Sequence, residues 1–404
     1  ERNTRTDGNG ERVSSTVAAA LRRERDRAQS KLRHVMDGPS YKVGRALTYF
    51  PRKARALVRP DKKQSRTAPS TAARRVNAAP PPPLRAATDA PAPVRSETPD
   101  VTFVIPVYNS SPWLDDCLSS VLAQTGVDVE VICINDGSTD DSLSILNRFA
   151  ESDPRVSVIN QTNSGQSVGR NKGLDAATGR YLIYLDSDDY WPSDALATLV
   201  RRADADQLDL LLFDCAAFLD GDVDEKIWRW YSTYYQRAHT YRQVRSGVEL
   251  MVDMRRTKEY RPHVGLYMTR TSFVREQGIH FIPGIVHQDN PYTFRLLLNA
   301  TRTAHERIDA YARRIRPGST ITSLTSERSA RGYFLSYVEM MRELDGRDLP
   351  TESPEIVTGI VDSVYEGARK QFAVISEATA QELRALDDSA DAQAVYVSLR
   401  NDSH

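Results

Sequence analysis

An α/β fold built on a doubly wound, mostly parallel sheet is what this sequence predicts, followed by a helical C-terminal region. Three observations carry that prediction. Over residues 101–191, short apolar runs alternate with segments of helical texture, the pattern of successive strand–helix units. The polar loops after Val107, Ile134 and Leu185 each follow an apolar run, so they gather at the C-terminal ends of the strands, the edge where open α/β sheets bind ligands. The 404-residue chain is 40% hydrophobic and 27% charged, which supplies enough apolar material for a sizeable core.

Taken in order, VTFVIPVYN (101–109) reads as a buried strand ending in a loop. SPWLDDCLSSVLAQ (111–124) follows as a helix with a Ser cap and Pro in its first turn. VDVEVICINDGSTD (127–140) is a second strand running into a Gly/Ser/Asp turn, DSLSILNRFAESD (141–153) a helix, and RVSVINQ (155–161) a third strand. SVGRNKGLDAATG (167–179) predicts a helix stopped by Gly179, and RYLIYLDSDDYW (180–191) a fourth strand. From Ser326 onward, YFLSYVEMMREL and EIVTGIVDSVYEGARKQFAVI space their apolar residues as amphipathic helices do. These helices are expected to pack on the α/β domain or to form the contact of a homodimer.

Residues before about Asp100 have a different texture. Residues 13–36 mix Ala, Leu and charge and predict a short helix. Residues 41–59 carry Lys42, Arg45, Arg52, Lys53, Arg55 and Arg59 without an acid, interleaved with Tyr41, Val43, Leu47, Tyr49 and Phe50. Such a segment suits peripheral contact with an anionic membrane face, and it equally suits a solvated basic linker. Residues 62–99, rich in Ala, Pro, Ser and Thr, bury too little to fold. The predicted plan is a basic arm over 1–60, a linker over 61–99, an α/β domain over 100–325 with halves 100–200 and 201–325, and a helical region over 326–404. Lys+Arg and Asp+Glu are equal at 54 each, so a basic arm implies an acidic body. The three cysteines, Cys117, Cys133 and Cys215, sit in apolar runs without zinc-ligand spacing and read as buried thiols. No run approaches the roughly 18 apolar residues of a membrane span. The first residue is Glu, which leaves an upstream targeting signal open.

Residues 182–185 run straight into Asp186-Ser187-Asp188-Asp189. Carboxylates crowded at a strand end repel one another and call for compensation. A hard divalent cation, Mn2+ or Mg2+, with diphosphate oxygens completing its shell would supply it; an acidic turn capping the helix after Pro192 accounts for the same residues. The other loops have ordinary explanations one by one. Turn residues suffice for Pro106-Val107-Tyr108-Asn109 and for Asn135-Asp136-Gly137-Ser138-Thr139-Asp140, and a helix start with a surface Arg for Gly169-Arg170-Asn171-Lys172-Gly173-Leu174.

In this order, IPVYN, NDGSTD, RNKGL and DSDD together resemble family 2 glycosyltransferases of the GT-A fold, nearly continuously over residues 101–191. The resemblance implies a Rossmann-like GT-A sheet and a nucleoside-diphosphate sugar as donor. Pro106, Val107 and Tyr108 would line the nucleoside pocket, with Asn109 beside them. Asp136 would accept from the base, most naturally the imide N–H of uracil, which favours UDP, and Arg170 would sit beside it. Asp186 would reach the ribose, or the metal through water; Ser187 belongs to the same donor turn, and Asp188 would bind the metal directly. Asn135 departs from the family, which often has a second Asp there.

IPGIVHQDNPYTF (282–294) resembles the acceptor-side segment of the family, which commonly ends in Glu-Asp. Asp289 is then implied as the general base that removes the acceptor hydroxyl proton. Gln288 replaces the Glu and brings no charge to raise its neighbour's pKa. Asp289 also suits the first turn of a helix, and the two roles are compatible. The run from Tyr311 resembles a Tyr-Arg-x-Arg-x-x-Ser-Ile segment, implying that Arg314, Arg316 and Ser319 stabilise the leaving diphosphate; a basic surface strand explains it too. KIWRWYSTYY (226–235) offers Trp228, Trp230, Tyr231, Tyr234 and Tyr235 for sugar stacking or for core, and His263 and His287 are acceptor contacts or structural residues.

The implied activity is inverting transfer of a sugar to a glycan, polymer or lipid-linked acceptor in bacterial cell-surface polysaccharide biosynthesis. The setting is the cytoplasmic face of the plasma membrane, because the Ser-Tyr-x-x-Gly-Arg-Ala-Leu stretch resembles those that accompany such transferases. Nucleic acid is not an expected partner. One rival is a catalytically inactive relative, for which Gln288 is the sequence support. A nucleotidyltransferase would want a Gly-rich phosphate loop near the first strand, and IPVYNSSPW lacks one.

Overall fold

The computed structural model describes residues 96–192, 195–319 and 325–403. The expected arm, the linker as far as residue 95, and residues 320–324 lie outside them. The first half alternates as the sequence requires: β1 (Val101–Val107), α1 (Leu114–Leu122), β2 (Val129–Asp136), α2 (Ser142–Ser152), β3 (Val156–Gln161), α3 (Gln166–Ala176) and β4 (Tyr181–Tyr184). Then come α4 (Ala195–Ala205), β5 (Leu210–Leu219), α5 (Glu225–Tyr234), α6 (Gly247–Arg256), β6 (Tyr267–Arg270), α7 (Thr271–Glu276), α8 (Asp289–Asn299) and β7 (Thr303–Ile315). One seven-stranded sheet results, ordered β3-β2-β1-β4-β6-β5-β7. Within it β6 is antiparallel to both neighbours, while the other pairings are parallel.

Strands β1 and β2 are buried along their whole length, which is why their sequences are mainly apolar rather than alternating, with Thr102, Glu130, Asn135 and Asp136 as the polar exceptions. Trp191, beyond β4, packs edge-on against Phe103 of β1 and Phe213 of β5, each at 5.3 Å between ring centres. This contact ties the two halves of the sheet together. Cys117, Cys133 and Cys215 are buried and unpaired, and burial pushes the Cys133 thiol up to about 12.

Two element boundaries differ from the sequence expectation. Helix α1 begins at Leu114 after Trp113 and has no side-chain cap. Ser110 and Ser111 instead turn their amides to Ser142 Oγ (2.9 Å) and Asp140 (3.0 Å), a longer-range use that local capping rules do not anticipate. Helix α3 ends at Ala176, and Gly179 lies beyond it, donating its amide to Thr102 Oγ1 at 2.9 Å.

The C-terminal helices α9 (Ser326–Leu344), α10 (Pro354–Phe372), α11 (Glu377–Arg384) and α12 (Ala390–Asp402) cover one flank. Met340, Val357, Ile360, Val361 and Val364 join the main core, whereas Phe334, Phe372, Tyr396 and Leu399 form a satellite core between the helices. Among the described residues no helix is long and apolar enough to cross a membrane.

Helix α9 touches the loop that leads into α8. At Gly332 an added Cβ would lie 2.2 Å from the Val286 carbonyl oxygen, so only glycine permits this approach. His287, in the left-handed region at φ +59°, stacks on Tyr333 at 4.0 Å, and burial lowers its pKa to about 4. Gly332→Val is expected to force α9 from the loop at a cost of about 1–3 kcal/mol. A denaturant midpoint unchanged from wild type would contradict that contact.

Candidate active site

The C-terminal ends of β1, β2 and β4 carry three loops that are stitched together. Asn109, in the left-handed region at φ +49°, accepts the Thr139 amide at 2.8 Å. The hydroxyls of Ser110 and Ser187 meet at 2.7 Å. Pro106 and Val107 are buried at the end of β1, while Tyr108 is 51% exposed, an aromatic face open to solvent at the sheet edge.

Asp136 ends β2 and is buried. Its Oδ1 accepts from Gln161 Nε2 and the Ser164 amide, both at 2.7 Å, and its Oδ2 from the Gly165 amide at 2.8 Å. Three of a carboxylate's roughly four acceptor positions are thus filled, leaving one on Oδ2. These bonds fix the entry to α3, and Gly173 lets that helix lie on β1, since a Cβ there would meet Val104 at 2.2 Å.

Helix α3 delivers Arg170 into the site. Expected beside Asp136, Arg170 is held instead by Asp186, with Nη2 to Oδ1 at 2.6 Å, and its Nη1 lies 3.9 Å from Asp289. Its side chain is almost fully buried over the Phe281 ring. One guanidinium therefore joins the donor-side carboxylate to the carboxylate of the acceptor half. Burial raises the Asp186 pKa, but Arg170, Arg313 and His263 together bring it below the usual carboxylate range.

Asp188 and Asp189 face strand β7. Antiparallel bonds between Tyr190 and Ala312 (2.9 and 3.2 Å) hold the acidic turn against that strand. Asp188 pairs with Arg316 at 2.8 Å. Asp189 accepts from the Tyr311 hydroxyl and from the Arg314 amide, so it acts as the anchor of β7. Burial and then the neighbouring Asp186 push Asp188 up from its ordinary value. Arg314 bonds the Asp188 carbonyl oxygen at 2.7 Å and Asp220 at 2.8 Å, and Arg316 covers the Trp113 ring at 3.8 Å. Ser319 stands just past the strand, after Gly318 with its φ of +71°.

Asp289 is the first residue of α8, directly after Gln288. Gln288 is buried and accepts from the Ser167 hydroxyl of α3, so it links the helix bearing Asp289 to the helix bearing Arg170. Burial first, and Asp186 third after the opposing Arg170, raise the Asp289 pKa to about 6. The upward shift thus does not need a charged neighbour at position 288. His263 is structural: its Nδ1 accepts the Gly265 amide at 3.0 Å, and burial drops its pKa well below the usual value.

Sequence reasoning counted Asp189 only within the acidic cluster and gave no separate role to Tyr311, Arg313 or Ser167. Alternation along β7 could have found two of them, because residues at spacing two share a face and Tyr311 precedes Arg313 by two. The Ser167–Gln288 bond crosses 121 residues of sequence and left no local signal.

A doubly wound sheet whose acidic turn faces a helix-borne carboxylate defines a GT-A-type α/β protein. Residues 102–262 match the family described as Glycosyl transferase family 2. The chain is similar to the uncharacterized glycosyltransferase YibD of Escherichia coli, 32% identical over 220 residues, 54% of this chain and 61% of that protein. EpsJ of Bacillus subtilis, also an uncharacterized glycosyltransferase, is 41% identical over 113 residues, 28% of this chain and 33% of its own. The matches thus span less than two thirds of either relative. Among solved structures, S. aureus TarS (residues 1–349) with UDP-GlcNAc has a TM-score of 0.53 at 18% identity, covering 75% of this chain and 90% of that one. At that identity the likeness bears on the fold.

Proposed function

We propose that this protein transfers a sugar, with inversion, from a UDP-sugar to a hydroxyl of a glycan, polymer or lipid-linked acceptor in bacterial cell-surface polysaccharide assembly. The observation that carries this reading is the single guanidinium of Arg170 set between Asp186 and Asp289, which puts a carboxylate titrating at about 6 beside the donor turn. A base with that pKa is deprotonated at neutral pH yet basic enough to share a proton in the transition state.

Each residue then has a task. Tyr108 stacks near the base, Pro106, Val107 and Asn109 shape its pocket, and the open acceptor on Asp136 Oδ2 takes the uracil imide N–H. The TarS structures were determined with UDP-GlcNAc and with UDP, which supports a uridine nucleotide as the ligand of this sheet edge. Asp289 takes the acceptor proton as the hydroxyl oxygen attacks the anomeric carbon from the face opposite the nucleotide. Arg314, Arg316 and Ser319 lie on the side where the diphosphate departs.

The residues present fit a divalent cation. Asp186 and Asp188 offer hard oxygens, and Asp188 is held above its ordinary pKa by burial and Asp186, a strain that a bound cation relieves. Among the described residues no three His, Cys, Asp or Glu side chains form a metal cluster, so diphosphate oxygens would complete the shell, as is usual for Mg2+ and Mn2+. Asp188 and Asp186 would hold such a cation, and it would supply Lewis-acid stabilisation of the leaving diphosphate.

Nucleotide release from UDP-, GDP- and dTDP-sugars, with Mn2+ or with EDTA, tests the reading. Metal-dependent release from a UDP-sugar is expected, reduced roughly 10²–10³-fold in Asp188→Ala. Nucleotide binding without release from any donor, even with acceptor glycan present, would favour an inactive assembly partner.

A further inference from the structure

Arg313 is unlike the other arginines of the site. Arg170, Arg314 and Arg316 each close on a carboxylate. The Arg313 guanidinium makes neither a hydrogen bond nor an ion pair among the described residues, and its Nη1 is fully enclosed and unpartnered. It lies over the face of Tyr235, 5.0 Å from the ring centre. The residue as a whole is only partly buried, but an enclosed donor atom without a partner is unfavourable, and a cation–π contact does not satisfy it.

Charge balance accounts for its charge, since Asp189 accepts only from the neutral Tyr311 hydroxyl and the Arg314 amide, but not for its unfilled hydrogen-bond donors. The carboxylates within its electrostatic reach have nearer partners: Asp186 has Arg170, Asp188 has Arg316, and Asp189 has Tyr311 and the Arg314 amide. Asp289 has Arg170 at 3.9 Å. The charge of Arg313 acts on all four from longer range.

Its position says what it could take. Strand alternation puts Arg313 on the face of β7 opposite Arg314 and on the same face as Tyr311, whose hydroxyl donates to Asp189. On its own face stand Tyr235 and, within reach of its charge, Tyr231, Tyr234 and the base Asp289. These tyrosines continue into Trp230, 64% exposed and stacked on Tyr234 at 5.8 Å. Aromatic faces suit the apolar side of a sugar ring, and a planar guanidinium fork suits two oxygens of a carboxylate or phosphate.

We propose that Arg313 is an acceptor-binding residue that takes the carboxylate or phosphate of an anionic acceptor seated on the Tyr231–Tyr235 ledge beside Asp289. The inference rests on the transferase reading and narrows its acceptor to negatively charged sugars or polyol phosphates.

The test uses full-length protein loaded with UDP and Mn2+, titrated by calorimetry with methyl glucuronide, glycerol 3-phosphate and methyl glucoside. Wild type is expected to bind at least one charged fragment ~30-fold or more tightly than methyl glucoside, the scale of one desolvated charge pair. Which charged fragment binds distinguishes carboxylate from phosphate. Arg313→Met should abolish the preference and Arg313→Lys should retain part of it. Equal binding of charged and neutral fragments by wild type overturns the proposal without reliance on any variant, and so does a preference that survives in a folded Arg313→Met protein. Sugar transfer measured on the same samples separates the two readings. Transfer to neutral acceptors without charge preference sinks the inference alone, whereas Arg313-dependent anion binding with no transfer under any donor upholds the site and sinks the transferase reading.

Discussion

Asn in place of Asp289 is expected to lower kcat by roughly 10²–10⁴-fold, the usual contribution of a positioned general base. The substitution conserves shape and retains an oxygen that can accept the Val264 amide, which now supports the carboxylate. Asn also suits the start of α8, so the fold should persist and UDP affinity should change little. The same carboxylate sets the pH dependence. Because Asp289 titrates at about 6 and must be ionised to act, kcat/KM should fall about tenfold per unit below that pH and level off above it. Steady-state rates at saturating donor, with wild type and Asp289→Asn in parallel from pH 4.5 to 8, would check both statements. A variant retaining more than about a tenth of wild-type kcat would remove Asp289 from the role of base.

Much of the donor side was legible because its signals are local. The apolar runs at 101–107 and 129–136 are strands buried on both faces, and each motif loop follows its strand within a few residues. The acidic turn could be located from Asp186-Ser187-Asp188 alone. What those residues do to one another could not, because the partners are remote in sequence. Arg170 pairs with Asp186 and lies beside Asp289, 16 and 119 positions away. Gln288 shows the same limit. Read locally it is a lost charge, whereas in the fold its carbonyl ties α8 to α3, and burial and Asp186 raise the pKa of Asp289 without it. Arg313 was hidden inside a basic run in which only alternation separates its face from that of Arg314.

Replacing Arg170 by Met should couple a loss of stability to a shift in the acid limb, a combination that neither a purely structural nor a purely donor-binding role predicts. The guanidinium is buried between two carboxylates, so its removal leaves Asp186 and Asp289 to repel each other in a desolvated site. Breaking a buried pair in this way costs about 3–5 kcal/mol. The pH dependence of that cost has a definite sign. Arg170 is the largest influence lowering the Asp186 pKa, so the stability it contributes is present above the unfolded-state carboxylate value of ~3.9 and is lost as pH falls below that value, through the lowered folded-state pKa. The Asp186 part of the gap between wild type and Arg170→Met should therefore persist from about pH 7 to about pH 4 and narrow below it. For Asp289, Arg170 is again the chief lowering influence, and what remains without it is burial and Asp186, both of which raise the pKa. The acid limb of kcat/KM should accordingly move above 6, and activity near neutrality should recover at alkaline pH. Urea midpoints at about pH 7 and about pH 3, set beside the pH profile of turnover, measure both effects. A destabilised variant whose limb stays near 6 would mean that Arg170 holds the donor turn without governing the base, and the bridge between the two halves of the site would lose its catalytic meaning.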